Sequence, residues 1–578
     1  MNQAGQKSIV FLDIETNSQL SQIHLCVTKE LRSGEVRCHH KADTLLKMLE
    51  EQPQVVAHNG ISFDFPILNR LWNTKITPSM CIDTLVMSRL MSPNRESGHS
   101  LESWGNRLGR KKIDYKRVWH RINKLSFDKK STLPFDQPHM GLLEKYCRRD
   151  VEVLELTYFE LLKEKDNYGF SEKSIELEHK VAAIIYKQER NGFKFDLPKA
   201  MVLLAGLKDK MGTIEASLQF IFPPITTERY SEKTGKKLKD DIEVFNPGSR
   251  QQIAKRLQEK GWKPTKHTEK GQVIVDESTL ANVDIPEAQA IAEYLLLQKR
   301  VAMVESWIEN TTDDHRIHGK VITNGAVTGR MTHHSPNMAQ VPSVGSPYGE
   351  DCRGLFTVPK GYKLVGADAS GLELRMLAHY MKDQDYVKTV TEGSQDLGTD
   401  VHTKNQQAAG LSTRAQAKTF IYAFLYGAGA TKIGSIVGGS AKEGQRLIDS
   451  FLRNTPALQA LRSTVDKLSD KGHLPGLDGR RLFVRSEHAA LNTLLQGAGA
   501  IVMKQALVFL DESISRRNLD ARFVVNVHDE FQLEVKEEHA QRVGFLAVES
   551  IRKAGRTLKL RCPLDGEYKI GDNWCQTH

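Results

Sequence analysis

The chain has 578 residues, 39% hydrophobic and 26% charged, the balance of an ordinary soluble globular protein with room for roughly four domain-sized units. No apolar run approaches the roughly 20 residues of a membrane span, and the polar start Met1–Ser8 is no signal peptide, so composition excludes an integral membrane protein and points to the cytoplasm. Seven cysteines without a C-x-x-C pair exclude a disulfide framework and a zinc ribbon, and 81 Lys+Arg against 71 Asp+Glu leave a net charge of +10 that a polyanionic partner would suit.

In chain order, residues 8–16 read as a buried strand, and a hairpin follows with Ile23–Lys29 and Glu35–His39 separated by Ser33-Gly34. From Glu144 to Glu164, Leu154, Leu156, Phe159, Leu161 and Leu162 recur with helical spacing until Asn167-Tyr168-Gly169 breaks the run. Residues 174–310 read as mostly helical. Within them, positions 226–270 carry twelve Lys/Arg against seven Asp/Glu, half of the chain's net charge. That segment reads either as a solvated loop and helix or as an element that tracks DNA phosphates. After Asn324-Gly325 the pattern changes to short strands broken by Gly and Pro, a mixed α/β palette.

Asp13 and Glu15 sit two apart on the first strand, so both carboxylates project from one face, roughly 6–7 Å apart at their bases. Tyr146 and Asp150 are four apart and share a helix face. Asp64 stands in the otherwise apolar segment His58-Asn-Gly-Ile-Ser-Phe-Asp64. Singly, each acid reads as a solvated carboxylate. Converging, they would raise one another's pKa unless a divalent cation neutralised them, and oxygen-only ligands suit magnesium or manganese. Residues 9–165 resemble the tyrosine-containing 3′→5′ proofreading exonucleases of the DEDD class. The resemblance implies that Asp13, Glu15, Asp64 and Asp150 bind two metal ions and that Tyr146 positions the attacking water.

Residues 363–381 read as strand, turn and helix, with Asp368 at the strand's C-terminal end. Residues 523–535 alternate on both sides of His528-Asp529, a hairpin with Asp529 at its tip. Two aspartates on adjacent strands could hold two magnesium ions roughly 3.5–4 Å apart for in-line phosphoryl transfer. Arg414, Lys418, Tyr422 and Tyr426 recur every four positions on a helix that Ser412 or Thr413 can cap and Gly427 can end. An Arg and a Lys one turn apart clamp an anion, and the aromatic beyond them offers a stacking surface. Alone, that helix reads as a basic face running into an aromatic contact.

Together these motifs resemble motifs A, B and C of the family A (Pol I-like) DNA polymerases, most of all those of short-tailed phages of the T-seven type. The phrases beginning at Thr323, Ser335, Val401 and Leu494 share the likeness. The resemblance implies an α/β multidomain fold, a ribonuclease-H-like exonuclease domain followed by a right-hand polymerase. Its parts would be the exonuclease (1–168), a mostly helical thumb (169–320), palm (321–395), fingers (396–480) and the rest of the palm with the tail (481–578). It implies Asp368, Asp529 and the Ala369 carbonyl as metal ligands, with two Mg2+ per active site and Mn2+ able to substitute. His402, Arg414 and Lys418 would hold the incoming dNTP. Tyr422 would line the sugar pocket, Glu373 would help exclude a ribose 2′-hydroxyl, and Arg330, Gln496 and His528 would contact primer–template DNA. A helicase–primase is a further partner the likeness admits. Thioredoxin is not expected, because the stretch Phe222 to Val244, where the phage relatives carry a large insertion, is only about twenty residues. The terminal His578 implies an ordered tail. Two other readings are a nuclease whose second half only binds DNA, and a non-enzymatic single-strand binding protein, which would need no buried acids.

Overall fold

The computed structural model describes residues 8–578 except 269 and 282. Met1–Lys7, most of the polar start, lie outside the described residues. Strands β1 (Ile9–Thr16), β2 (Ile23–Glu30), β3 (Val36–His39), β4 (Gln54–Ala57) and β5 (Cys81–Asp83) form one mixed sheet in the order β3-β2-β1-β4-β5. β2 pairs antiparallel with β1 and β3, whereas β1, β4 and β5 run parallel. The central strand is apolar on both faces because both are covered. Phe11 packs with Leu143, Cys147, Val151 and Leu154 of the Met140–Tyr168 helix. Leu12 and Ile14 pack with Phe65 and Leu68 on the other side. Gly169, with φ +66°, ends the long helix in the left-handed conformation that glycine adopts most readily. Its buried stripe differs from the periodic reading: Leu156 and Phe159 are exposed, and Val151, Val153 and Tyr158 are buried instead.

The Glu172–Asn191 helix is tied to the C-terminal half by a buried charge network. Glu178 accepts from Arg480 Nη1 at 2.6 Å and Lys504 Nζ at 2.7 Å, and Arg480 also pairs with Asp478 at 2.6 Å. Removing one member would strand a buried charge, at a cost of about 3–5 kcal/mol. Helices Leu197–Ile221 and Pro286–Glu309 pack together. Between them the basic segment forms a two-stranded arm, Ile225–Thr227 against Asp241–Glu243, followed by the Arg250–Glu259 helix. Much of its charge is paired within the segment: Lys237 with Glu228 and Asp240, Lys255 with Glu243. The arm also exposes Tyr230, Leu238, Ile242 and Val244.

Toward the C-terminus, Ala521–Val527, Glu530–Lys536, Tyr362–Ala369 and Gly566–Gly571 lie in that order in an antiparallel sheet. One face buries Val365, Ala367, Phe531 and Leu533 with the Ala490–Arg516 and Ala540–Thr557 helices. The other buries Leu364, Val525 and Trp574. The Ala490–Arg516 helix corrects the reading that nothing here reaches membrane-span character: by length and composition it does, but 83% of its apolar window is buried in the core. The tail is ordered as expected. Trp574 and Thr577 are buried, and a Cβ on Gly366 would lie 2.3 Å from the Thr577 carbonyl, so only glycine lets the tail lie against this strand.

Candidate active sites

The first acidic group forms where β1 meets the Met140–Tyr168 helix. Strand alternation points Asp13 and Glu15 toward that helix, and Cys147 Sγ donates to Asp13 Oδ2 at 3.2 Å. Ligand atoms of Asp13, Glu15 and Cys147 lie within 4.8 Å of one another. Asp64 opens its helix and accepts from the Ile14 N–H at 3.2 Å, which ties it to the same strand. The loop before it is tight, since a Cβ on Gly60 would lie 2.5 Å from that of Ala57. Tyr146 stands beside Asp150 on the long helix, and burial with the Asp150 charge raises its hydroxyl.

Burial and mutual repulsion raise the pKa values of these acids. Burial raises Asp13, and burial with the Asp13 charge holds Glu15 and Asp64 well above the carboxylate range. Asp150 is pushed to about 7, by burial first and then by Asp13. Buried Asp150 Oδ1 has no hydrogen-bond partner among the described residues. Oxygen-rich ligands, excess negative charge and an unused buried lone pair fit a divalent cation. One cation was missed in the sequence: Lys112 Nζ lies 2.5 Å from Asp150 Oδ2 and 5.0 Å from the centre of the Tyr146 ring.

The second group lies at the end of the C-terminal sheet. Asp368 is in register with Glu530, and the Ala369 N–H donates to the Asp529 carbonyl at 3.1 Å, so the two aspartates sit on adjacent strands. His528 takes the left-handed φ of +56° that the two-residue turn requires. Asp368 stands at the open edge, pushed up to about 7 by burial of its carboxyl and by the Asp529 and Glu530 charges. Burial raises Asp529 as well, against the pull of Arg330 and His528, and burial followed by Arg330 lowers His528. A pair of acids that disfavours its own ionisation fits a divalent cation here too.

The helix facing this edge runs from Arg414 to Leu425. Thr413 and Gln416 close a capping box at its start, and the Thr413 cap is worth about 1 kcal/mol. Asp400, missed in the sequence, caps the Val401–Ala409 helix and pairs with Arg414 Nη2 at 2.9 Å. Burial would raise this acid, but Arg414, Thr403 and the His402 N–H together hold it at about 2. It thereby fixes Arg414 beside His402, whose ring centre lies 6.3 Å from that of Tyr422 and whose Nδ1 is buried and unpartnered among the described residues. Burial and the nearby charges of Glu373 and Asp529 raise the Tyr422 hydroxyl, so this part of the helix lies near Asp529. Glu373 accepts from Tyr426 at 2.8 and 2.9 Å and pairs with Arg330 at 3.2 Å, so its hydroxyl partner is Tyr426 and not Tyr422. Lys418 is exposed and Gln496 half-buried, and among the described residues neither makes a hydrogen bond or ion pair.

Residues 226–576 match the family model described as DNA polymerase family A. The chain belongs to that family and is a DNA-directed DNA polymerase. It is 35% identical to the DNA-directed DNA polymerase of Enterobacteria phage T3 over 98% of its own length and 99% of that protein. It is also 35% identical to that of Escherichia phage T7, over 99% and 100%. The T3 alignment spans 707 positions against a 578-residue chain, so the phage enzyme has segments this one lacks. The fold is shared with the POL domain of Pol1 from M. smegmatis, solved with DNA primer-template and dNTP: the TM-score is 0.80 at 19% identity, covering 99% of this chain and 97% of that one.

Proposed function

We propose that this polymerase extends primer strands at the Asp368–Asp529 edge and removes mismatched 3′ ends at the Asp13–Glu15–Asp64–Asp150 cluster. The carrying observation is the strand register that sets Asp368 beside Asp529, opposite a helix bearing Arg414, Lys418 and Tyr422. Family A DNA polymerases use divalent metal ions; in this reading Asp368, Asp529 and the Ala369 carbonyl would hold two Mg2+, with Mn2+ able to substitute, and bound there they would supply charge stabilisation for phosphoryl transfer.

The protein's part is positioning and electrostatics. Arg414, oriented by Asp400, and Lys418 bind the triphosphate, with His402 alongside. Tyr422 lines the sugar pocket. Glu373, fixed by Tyr426 and Arg330, crowds the 2′ position. Arg330, Gln496 and His528 meet the primer–template. At the other cluster Tyr146, beside Asp150, orients the attacking water. The domain map of exonuclease (1–168), thumb (169–320), palm (321–395 and 481–578) and fingers (396–480) belongs to this reading, as do a helicase–primase partner, synthesis without thioredoxin and action in the host cytoplasm.

Asp13→Ala with Glu15→Ala tests the division of labour. The double variant is expected to lose digestion of a mismatched 3′ end by at least about a thousandfold and to extend a matched primer at the parent rate. Continued digestion would overturn the exonuclease assignment.

A further inference from the structure

The acidic cluster near the N-terminus contains its own cation. Lys112 comes from the turn-rich stretch between the Leu101–Arg107 and Tyr115–Ile122 helices, and only 20% of its side chain is exposed. Its ammonium contacts one oxygen of Asp150 at 2.5 Å, while the second oxygen is buried without a partner among the described residues. Its charge also reaches Asp13 and Glu15. His58 and Arg89 line the same cleft. The Asp368–Asp529 edge has no such ion pair among the described residues, for its nearby Arg330 is committed to Glu373.

We propose that Lys112 is a resident counter-cation of the acidic cluster, whose ammonium competes with a divalent ion for the charge of its carboxylates. The inference rests on the exonuclease reading above. Two arguments support it. Carboxylates gathered this closely repel one another, and a nearby ammonium relieves that repulsion without any bound ion. A divalent cation drawing on the same carboxylates would stand within a few ångströms of the ammonium, where like charges repel strongly in a site so little exposed to water. Asp150 Oδ1 is free to meet the ion, but sharing the carboxylate with the ammonium costs the ion affinity. Lys112 therefore sets how much divalent ion the cluster requires, and the Asp368–Asp529 edge lacks that control.

The test measures metal binding directly. In the full chain carrying Asp368→Ala and Asp529→Ala, which removes the other acidic pair, Mn2+ binding is followed by electron paramagnetic resonance. Lys112→Met is expected to tighten Mn2+ about tenfold or more, and Lys112→Arg, which keeps the charge, is expected to stay near the parent. Affinities of the Met variant and the parent within about twofold of each other would reduce Lys112 to a structural ion pair and overturn the proposal while leaving the exonuclease reading intact. Absence of Mn2+ binding in parent and variant alike would overturn that reading, and the proposal with it. If Lys112→Met fails to fold, Lys112→Gln takes its place. With Asp368 and Asp529 restored, the Mg2+ concentration that half-saturates 3′-end digestion should fall in Lys112→Met, with that for primer extension unmoved. Equal shifts in both would also overturn the proposal.

Discussion

The two acidic sites of this polymerase are built to different electrostatic plans. The cluster around Asp13 is folded over by a strand, a tight loop and a long helix, and it carries Lys112 among its acids. The Asp368–Asp529 edge is open, and two cations near it are fastened elsewhere, Arg330 to Glu373 and Arg414 to Asp400, while Lys418 makes no ion pair among the described residues. The closed cluster can balance its own charge. The open edge leaves its charge for what arrives, and its two arginines are aimed by acids outside the Asp368–Asp529 pair. One polypeptide thus places two sets of carboxylates under separate control.

The largest expected effect comes from breaking the open edge alone. Asp368→Ala or Asp529→Ala should lower primer extension at least about a thousandfold while single-stranded DNA is still degraded from its 3′ end. If either change also removed degradation, the sites would not be independent.

A second prediction concerns pH. Burial raises Asp13, Glu15 and Asp64, and brings Asp150 and Asp368 to about 7. Between roughly pH 4 and pH 7 these acids hold protons in the folded, metal-free chain that they have released in the unfolded one, so their contribution to stability falls as pH rises through that window. His39, His58, His99, His333 and His379, lowered by burial to about 4, contribute with the opposite sign. Saturating Mg2+ should raise Tm above its value in EDTA by an amount that grows between roughly pH 5 and pH 8, as the acids release their protons. Parallel curves with and without Mg2+ would show that these acids are not where the ion binds.

The smallest effect is expected from the arm at residues 225–243. Lys233, Lys236 and Lys239 are exposed and make no ion pair among the described residues, unlike Lys237, which pairs with Glu228. Each lysine removed from a DNA phosphate should reduce the salt slope of duplex binding by about 0.9. Neutralising those three should flatten log K against log salt, and adding Lys237 should change little more. Nucleotide incorporation at a bound primer end should hold steady. A slope that did not move would return the arm to a solvated hairpin.

Local chemistry made much of this legible in the sequence. The strand, turn and helix around Asp368, the two-residue turn at His528-Asp529 and the cap at Thr413 each depend on neighbours a few positions apart. Residues that act through distant partners were not legible. Lys112 looks like any surface lysine until the fold brings Asp150 to it, and Asp400 looks like any loop acid until Arg414 arrives. Tyr426 was visible in the helix stripe, but its bond to Glu373 crosses between separate helices. The buried stripe of the long N-terminal helix was misjudged at Leu156 and Phe159 because apolar spacing does not say which flank of a helix a sheet will cover.

The layout of the two sheets also bears on how the molecule folds. All five strands of the first lie within residues 9–83, so its pairings close short loops and can form while the rest of the chain is still being made. The second joins residues 362–369 to 530–536 and 566–571, and Gly366 accepts the Thr577 carbonyl against its bare backbone. Such long-range pairing is slow, because closure entropy must be met before the contacts reward it. The strand carrying Asp368 therefore gains its last neighbours only after residues 566–577 have been made, so this sheet closes later than the first.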